Sequence, residues 1–115
     1  MKYTGACHCK EVSFEVDLEL GKVISCNCSH CEAKGLLLTF TTADKFTLLS
    51  PEENLTSYKF NKKVIDHLFC KTCGVQAFSK GKDPAGNDTV AINVRSLSGI
   101  EIDNLEIMKV DGKSW

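Results

Sequence analysis

The sequence predicts a mainly β fold, built of small antiparallel sheets with little helix and held together by metal sites. Three observations predict it. Apolar residues alternate with polar ones at Val12, Phe14, Val16 and Leu18, and again at Val90, Ile92 and Val94. That period of two marks a half-buried strand. Short β-branched or aromatic runs recur between turn-forming residues along most of the chain. Finally, seven cysteines, many for 115 residues, fall into tight groups.

The elements follow in order. The pair Cys7 and Cys9 comes first. In an extended strand the two would share a face ~6.5–7 Å apart, whereas sulfurs on one zinc lie ~3.8 Å apart. The backbone must therefore bend, and Gly5 is the residue expected to allow it. Residues 12–18 form the first clear strand, and residues 19–22 turn the chain. Val23, Ile24 and Ser25 make a short strand leading into Cys26, Cys28 and Cys31. Residues 29–34 suit one helical turn, with Gly35 as its C-cap. Residues 36–42 read as a buried strand, 43–45 as a turn and 46–49 as another strand. Pro51 and its neighbours break the pattern. Residues 55–60 resume a strand, 61–63 look like a hairpin tip, and 64–69 run into Cys70. Cys70-Lys71-Thr72-Cys73-Gly74 has the spacing of a zinc knuckle. There, amides of the tight turn can bond the first sulfur, and Gly74 can take positive φ. Residues 76–79 form a strand. Residues 80–88, with Gly81, Pro84 and Gly86, form a loop. Residues 89–95 form a strand that places Asn93 and Arg95 on the face opposite Val90, Ile92 and Val94. Residues 96–99 turn, and 105–110 form the last strand.

Length and composition narrow the function classes. The 115 residues fit one domain, and residues 1–115 are read as a single zinc-binding unit. A hydrophobic fraction of 43% gives a small core, of the kind that benefits from staples. No apolar leader follows Met1, Lys2 and Tyr3, and no apolar run approaches the ~20 residues of a membrane span. A reducing cytoplasm is the expected compartment, and clustered cysteines there read as metal-binding or catalytic. A formal net charge of −1, with scattered basic residues, argues against a nucleic-acid partner.

The seven thiols divide most naturally as four plus three. Cys7 and Cys9 can close a four-thiolate site with Cys70 and Cys73, which would staple the two halves of the chain. Cys26, Cys28 and Cys31 remain. Cys26 and Cys28, one residue apart, are badly placed for a disulfide, but three thiolates can converge on one zinc and leave its fourth position open. Other arrangements stay available. The middle group could take a fourth ligand from another segment, so that both zincs are structural, or it could hold an iron–sulfur cluster, although the spacing matches neither common ferredoxin pattern. His30 lies inside the chelate loop, as a fourth ligand or an exposed ring. His8 sits between two ligands and is expected to point away. His67 is a proton shuttle or an ordinary strand histidine. Arg95, the only arginine, either holds a ligand carboxylate or pairs with a surface glutamate.

These motifs resemble a known family. Gly5-x-Cys7-x-Cys9, Val12-x-Phe14-Glu15, Cys26-x-Cys28-x-x-Cys31, Phe69-Cys70-x-x-Cys73-Gly74 and Asn93-Val94-Arg95 are similar to the pattern of the glutathione-dependent formaldehyde-activating family, which includes centromere protein V. The resemblance spans nearly the whole chain. It implies a β-tent fold with two zinc ions, a structural one at Cys7, Cys9, Cys70 and Cys73 and an exchangeable, catalytic one at Cys26, Cys28 and Cys31. It also implies the activity of an S-(hydroxymethyl)glutathione synthase, which joins glutathione to formaldehyde and is formally a carbon–sulfur lyase. Two positions depart from the pattern: Lys10 stands where the family often has glycine, and Ser96 where many members have cysteine. The expected chemistry is thiol activation at Cys26, Cys28 and Cys31, with Arg95 and a lysine such as Lys34 holding the carboxylates of a small thiol such as glutathione. The rival expectation is a non-catalytic zinc-binding β module for protein interaction.

Overall fold

The structure is a computed structural model and describes residues 1–59 and 65–111. It is mainly β. Among the described residues ten strands form two sheets, and the one α-helix is six residues long.

The first sheet has the order β1-β2-β5, with β1 at Lys2–Ala6, β2 at Ser13–Asp17 and β5 at Phe46–Leu48, all antiparallel. Strand β2 is the alternating segment around Phe14, and Val12, Phe14, Val16 and Leu18 all turn inward. Strand β1 is absent from the sequence reading, since Lys2, Thr4 and Gly5 offer no apolar alternation. Its register against β2 explains Gly5. A Cβ built there would lie 2.4 Å from Cζ of Phe14, so the glycine leaves room for that ring rather than bending the chain. The bend comes later, in the turn over His8 and Cys9 that the Lys10 amide closes on the Cys7 carbonyl at 3.3 Å, and Lys10 follows it with a left-handed φ of 68°.

The second sheet has seven strands in the order β10-β3-β4-β9-β8-β7-β6. In chain order these are β3 at Lys22–Cys26, β4 at Leu38–Thr42, β6 at Leu55–Tyr58, β7 at Asp66–Cys70, β8 at Phe78–Lys82, β9 at Asp88–Asn93 and β10 at Glu106–Val110. Helix α1 spans Ser29–Lys34 and ends at Gly35, φ 65°, whose amide reaches the carbonyls of Cys31 and Glu32. The core forms where the two sheets face each other. The ring of Phe14 stacks on Phe46 at 5.3 Å and meets Phe78 edge-on at 5.9 Å, and Val90, Ile92 and Val94 close around them.

Four expectations change. The sheets are not wholly antiparallel, because β10 runs parallel to β3, pairing Lys109 with Ser25 and Val110 with Cys26. The buried strand at residues 36–42 is buried only as far as Thr39. Phe40, although paired with Ala91 of β9, is 53% exposed. The loop at residues 80–88 is mostly a hairpin. Strand β8 continues to Lys82 and β9 begins at Asp88, leaving a short turn in which the Asp83 carboxylate accepts the amides of Ala85 and Asn87. The glycine and proline there mark the turn, but Gly81 stays in the ladder opposite Thr89. Strand β9 stops at Asn93, and Val94–Ser96 form a 3₁₀ turn, so Asn93 and Arg95 do not share a strand face. The expected hairpin tip at residues 61–63, with Phe60 and Val64, lies outside the described residues.

Two outcomes follow from the β1–β2 packing and the Lys10 turn. Gly5→Ala drives a methyl into the Phe14 ring, and overpacking of this kind costs about 1–3 kcal/mol. A lowered denaturant midpoint at unchanged slope would show it. Lys10→Gly removes left-handed strain and raises stability by about 0.5 kcal/mol, net of the added freedom of the unfolded chain. The same unfolding curves measure it.

Candidate metal centre

The seven sulfurs gather into two groups. In each, every sulfur lies within 4.8 Å of the others, and among the described residues no histidine or carboxylate joins either group.

The four-sulfur group is built by two turns that meet across the fold. At the first, Cys7 leaves β1. Its amide donates to the Val12 carbonyl at 3.0 Å, and its sulfur accepts the Val12 amide at 3.3 Å. The turn over His8 and Cys9, closed by the Lys10 amide on the Cys7 carbonyl at 3.3 Å, brings Cys9 Sγ to 3.7 Å from Cys7 Sγ, and Lys10, at φ 68°, then redirects the chain. At the second turn, Cys70 ends β7. Its sulfur accepts the amides of Thr72 and Cys73, both at 3.4 Å, and Gly74 takes φ 82°. That is the knuckle expected from the Cys-x-x-Cys-Gly spacing. Cys9 and Cys70, 61 positions apart in sequence, bring their sulfurs to 3.6 Å. The 3.6–3.7 Å separations match the ~3.8 Å of thiolates on a tetrahedral zinc.

The three-sulfur group needs no long-range closure. Cys26 ends β3, Cys28 is the N-cap of α1, and Cys31 sits in the helix. The Cys28 amide donates to Cys26 Sγ at 3.5 Å, and the Cys31 amide to Cys28 Sγ at 3.4 Å. Leu36, Leu38 and Ala91 pack behind these sulfurs as a small apolar cluster.

Electrostatics divide each group. Burial opposes ionisation of Cys73, but the amides of Cys9 and Val75 and the sulfurs of Cys7 and Cys70 outweigh it and bring Cys73 down to about 6. At Cys9 the Glu11 amide favours the thiolate, yet burial and the neighbouring sulfurs push the thiol up to about 12. Likewise Cys31 is pushed up to about 12 by burial and by Cys28. Cys28 is held below the usual thiol value, because the amides of Cys31 and His30 outweigh its own burial. Crowded sulfurs cannot all carry charge without a cation among them. Soft thiolates at this spacing fit zinc, so both groups could hold a zinc ion.

One side of the three-sulfur group opens on a cleft of about 460 Å³, lined by Cys26, Cys31, Glu32, Arg95, Lys109 and Asp111 among others. Arg95 is placed there by the 3₁₀ turn after β9. The Asn93 side chain holds that turn, accepting the Arg95 amide at 3.1 Å and donating to the Gln76 carbonyl at 2.8 Å. Ser96 closes the turn by donating to the Asn93 carbonyl at 2.7 Å. Lys34 lies elsewhere, in a second cleft of about 370 Å³ with His30, Tyr58 and Phe69. There it donates to Gln76 Oε1 at 2.8 Å and sits over the Phe69 ring. His30 is half-buried rather than exposed, and its ring lies 4.1 Å from that of His67. Burial, then His67 and Lys34, push its pKa down to about 4. His67 is buried in β7, and His8 is exposed. Lys109, Glu32 and Asp111 are the cleft residues that the sequence reading missed. Only the parallel pairing of β10 beside β3 brings two of them to Cys26, and nothing in the local pattern signals that pairing.

Known proteins agree with this architecture. A crystal structure of a Rhodobacter sphaeroides protein superposes with a TM-score of 0.78 at 27% identity, over 91% of this chain and 99% of that one. The sequence profile described as "Glutathione-dependent formaldehyde-activating enzyme" matches residues 2–107. With its fold, its two sulfur groups and that match, the chain belongs to the glutathione-dependent formaldehyde-activating enzyme family.

Proposed function

We propose that this chain is a zinc-dependent enzyme of carbon–sulfur lyase type that joins a thiol such as glutathione to formaldehyde. In this reading Cys7, Cys9, Cys70 and Cys73 hold a structural zinc, and Cys26, Cys28 and Cys31 hold a second, exchangeable one. The carrying observation is the three-sulfur group, which has no fourth protein donor among the described residues and borders a cleft containing Arg95.

When bound there, zinc supplies a positive charge that lowers the pKa of a thiol at the position the three sulfurs leave open. The chain's own groups do the rest. The amides of Cys28 and Cys31, bonded to the sulfurs of Cys26 and Cys28, spread the ligand charge and fix the geometry. The Arg95 guanidinium takes a carboxylate of the thiol substrate. The substrate sulfur loses its proton to solvent and forms a bond to the formaldehyde carbon. The carbonyl π bond breaks, its oxygen takes a proton from solvent, and the hydroxymethyl thioether leaves; the reverse course cleaves the same carbon–sulfur bond. No helix of the described residues is long and apolar enough to cross a membrane, which is compatible with the cytoplasmic setting that keeps seven thiols reduced.

The two groups should respond differently to loss of a ligand. Cys28→Ser loses one of two zinc equivalents by elemental analysis, keeps the native far-ultraviolet dichroism and loses turnover by 100-fold or more, on the order of the penalty for removing one catalytic stabiliser. Unchanged turnover with one zinc gone overturns the catalytic role. Cys70→Ser, or a strong chelator, removes the structural ion and abolishes cooperative unfolding, because binding energy at such a site is folding energy. A metal-free chain that still unfolds cooperatively would show that the four-sulfur group does not carry the fold.

A further inference from the structure

Helix α1 stands between the two clefts. Cys31 and Glu32 line the one beside the three-sulfur group, and His30 and Lys34 line the other. Lys34 follows Cys31 by three residues, a spacing that makes two side chains neighbours on a helix. No ion pair among the described residues includes its ammonium. The ammonium donates instead to Gln76 Oε1 at 2.8 Å and lies 5.2 Å from the centroid of the Phe69 ring. Both partners are uncharged, so neither cancels its charge.

Gln76 is placed to hold that acceptor still. It is 4% exposed, in the short connection between the Cys70–Cys73 turn and β8. Its carbonyl accepts the Asn93 side-chain amide at 2.8 Å, and the next carbonyl, of Ala77, accepts the Asn93 backbone amide at 2.9 Å. Burial lowers the pKa of Lys34 from its ordinary value, and the Cys31 sulfur opposes that shift, so ammonium and sulfur are near enough to interact. The interaction has a use. Three thiolates outweigh the charge of one zinc ion, and a bound substrate thiolate would add to the excess. A positive charge beside Cys31 stabilises such a centre. A glutamate at position 76 would also hold the ammonium, but it would neutralise it.

We propose that Gln76 is a positioning residue that keeps the Lys34 ammonium, its charge uncancelled, behind the three-sulfur group, and that this charge tightens metal binding there. The inference rests on the zinc-binding role of the three-sulfur group argued above. The test is the zinc affinity of that group, measured by competition with a chromophoric chelator, in the wild type, Lys34→Met and Gln76→Glu. Cys28→Ser, which lacks the site, identifies its step in the titration. Lys34 is exposed, so Lys34→Met folds. The unfolding midpoint and the zinc retained by the four-sulfur group check both variants, and should the buried Gln76→Glu not fold, Lys34→Met alone decides.

At low ionic strength each variant binds the exchangeable zinc about 5-fold more weakly than the wild type, the upper end for a partly exposed charge pair. Beside the ammonium the new carboxyl of Gln76→Glu ionises, so that variant loses affinity although the hydrogen bond to Lys34 is kept. In about 1 M salt the Lys34→Met deficit collapses, because salt screens an exposed charge. Wild-type affinity in either folded variant, or a Lys34→Met deficit that salt leaves intact, overturns the inference, while zinc binding at the three sulfurs stands. If the wild type and Cys28→Ser hold the same amount of zinc, the zinc-binding role itself fails and the inference goes with it.

Discussion

Sulfur crowding is the constraint from which the rest of the molecule follows. Cys7, Cys9 and Cys70 hold their sulfurs 3.6–3.7 Å apart with Cys73 beside them, and four thiolates at that distance repel one another strongly. Protons can relieve part of the repulsion, which is why Cys9 is pushed up to about 12 while Cys73 is drawn down to about 6. A divalent cation among the sulfurs would relieve far more of it. The turns are shaped for that cation. Each gives its first sulfur at least one backbone N–H, and each contains a residue with positive φ, Lys10 in one and Gly74 in the other. The two sheets then meet around Phe14, Phe46 and Phe78, with Cys7 and Cys70 in the same apolar cluster as these rings.

The two sulfur groups differ in how they are supported, and that difference bears on function. The four-sulfur group joins β1 of one sheet to β7 of the other and is tied into the main core. The three-sulfur group lies at the end of β3 and in a six-residue helix, backed only by a small cluster around Leu36, Leu38 and Ala91. A side with little packing can open on a cleft. The parallel strand β10 completes the cleft from the far end of the sequence, while Asn93 fixes the turn that delivers Arg95. The cleft is thus assembled from three separate segments around one local loop.

Much of this was legible in the sequence, for identifiable reasons. Val12, Phe14, Val16 and Leu18 alternate because one face of β2 is buried and the other is not, so the pattern and the burial are one fact. Cys-x-x-Cys-Gly implies its turn because few backbones bring two sulfurs together over so short a span. What stayed hidden was set by tertiary contacts. Gly5 resembles a hinge in the sequence, but its task is to make room for a ring on the neighbouring strand. The bend falls instead in the turn over His8 and Cys9, and is followed by Lys10, a residue with no preference for positive φ that nonetheless adopts it. Lys109 looks like any surface lysine until β10 is laid parallel to β3.

The 61-residue separation between Cys9 and Cys70 also sets an order of events during synthesis. A chain leaving the ribosome carries Cys26, Cys28 and Cys31 as a compact, self-sufficient chelator well before Cys70 and Cys73 have been made, while Cys7 and Cys9 wait with half a coordination shell. Closing that long loop is the slow, topology-limited step. The three-sulfur group can therefore assemble from local sequence alone, whereas the four-sulfur group exists only once the two distant turns have met.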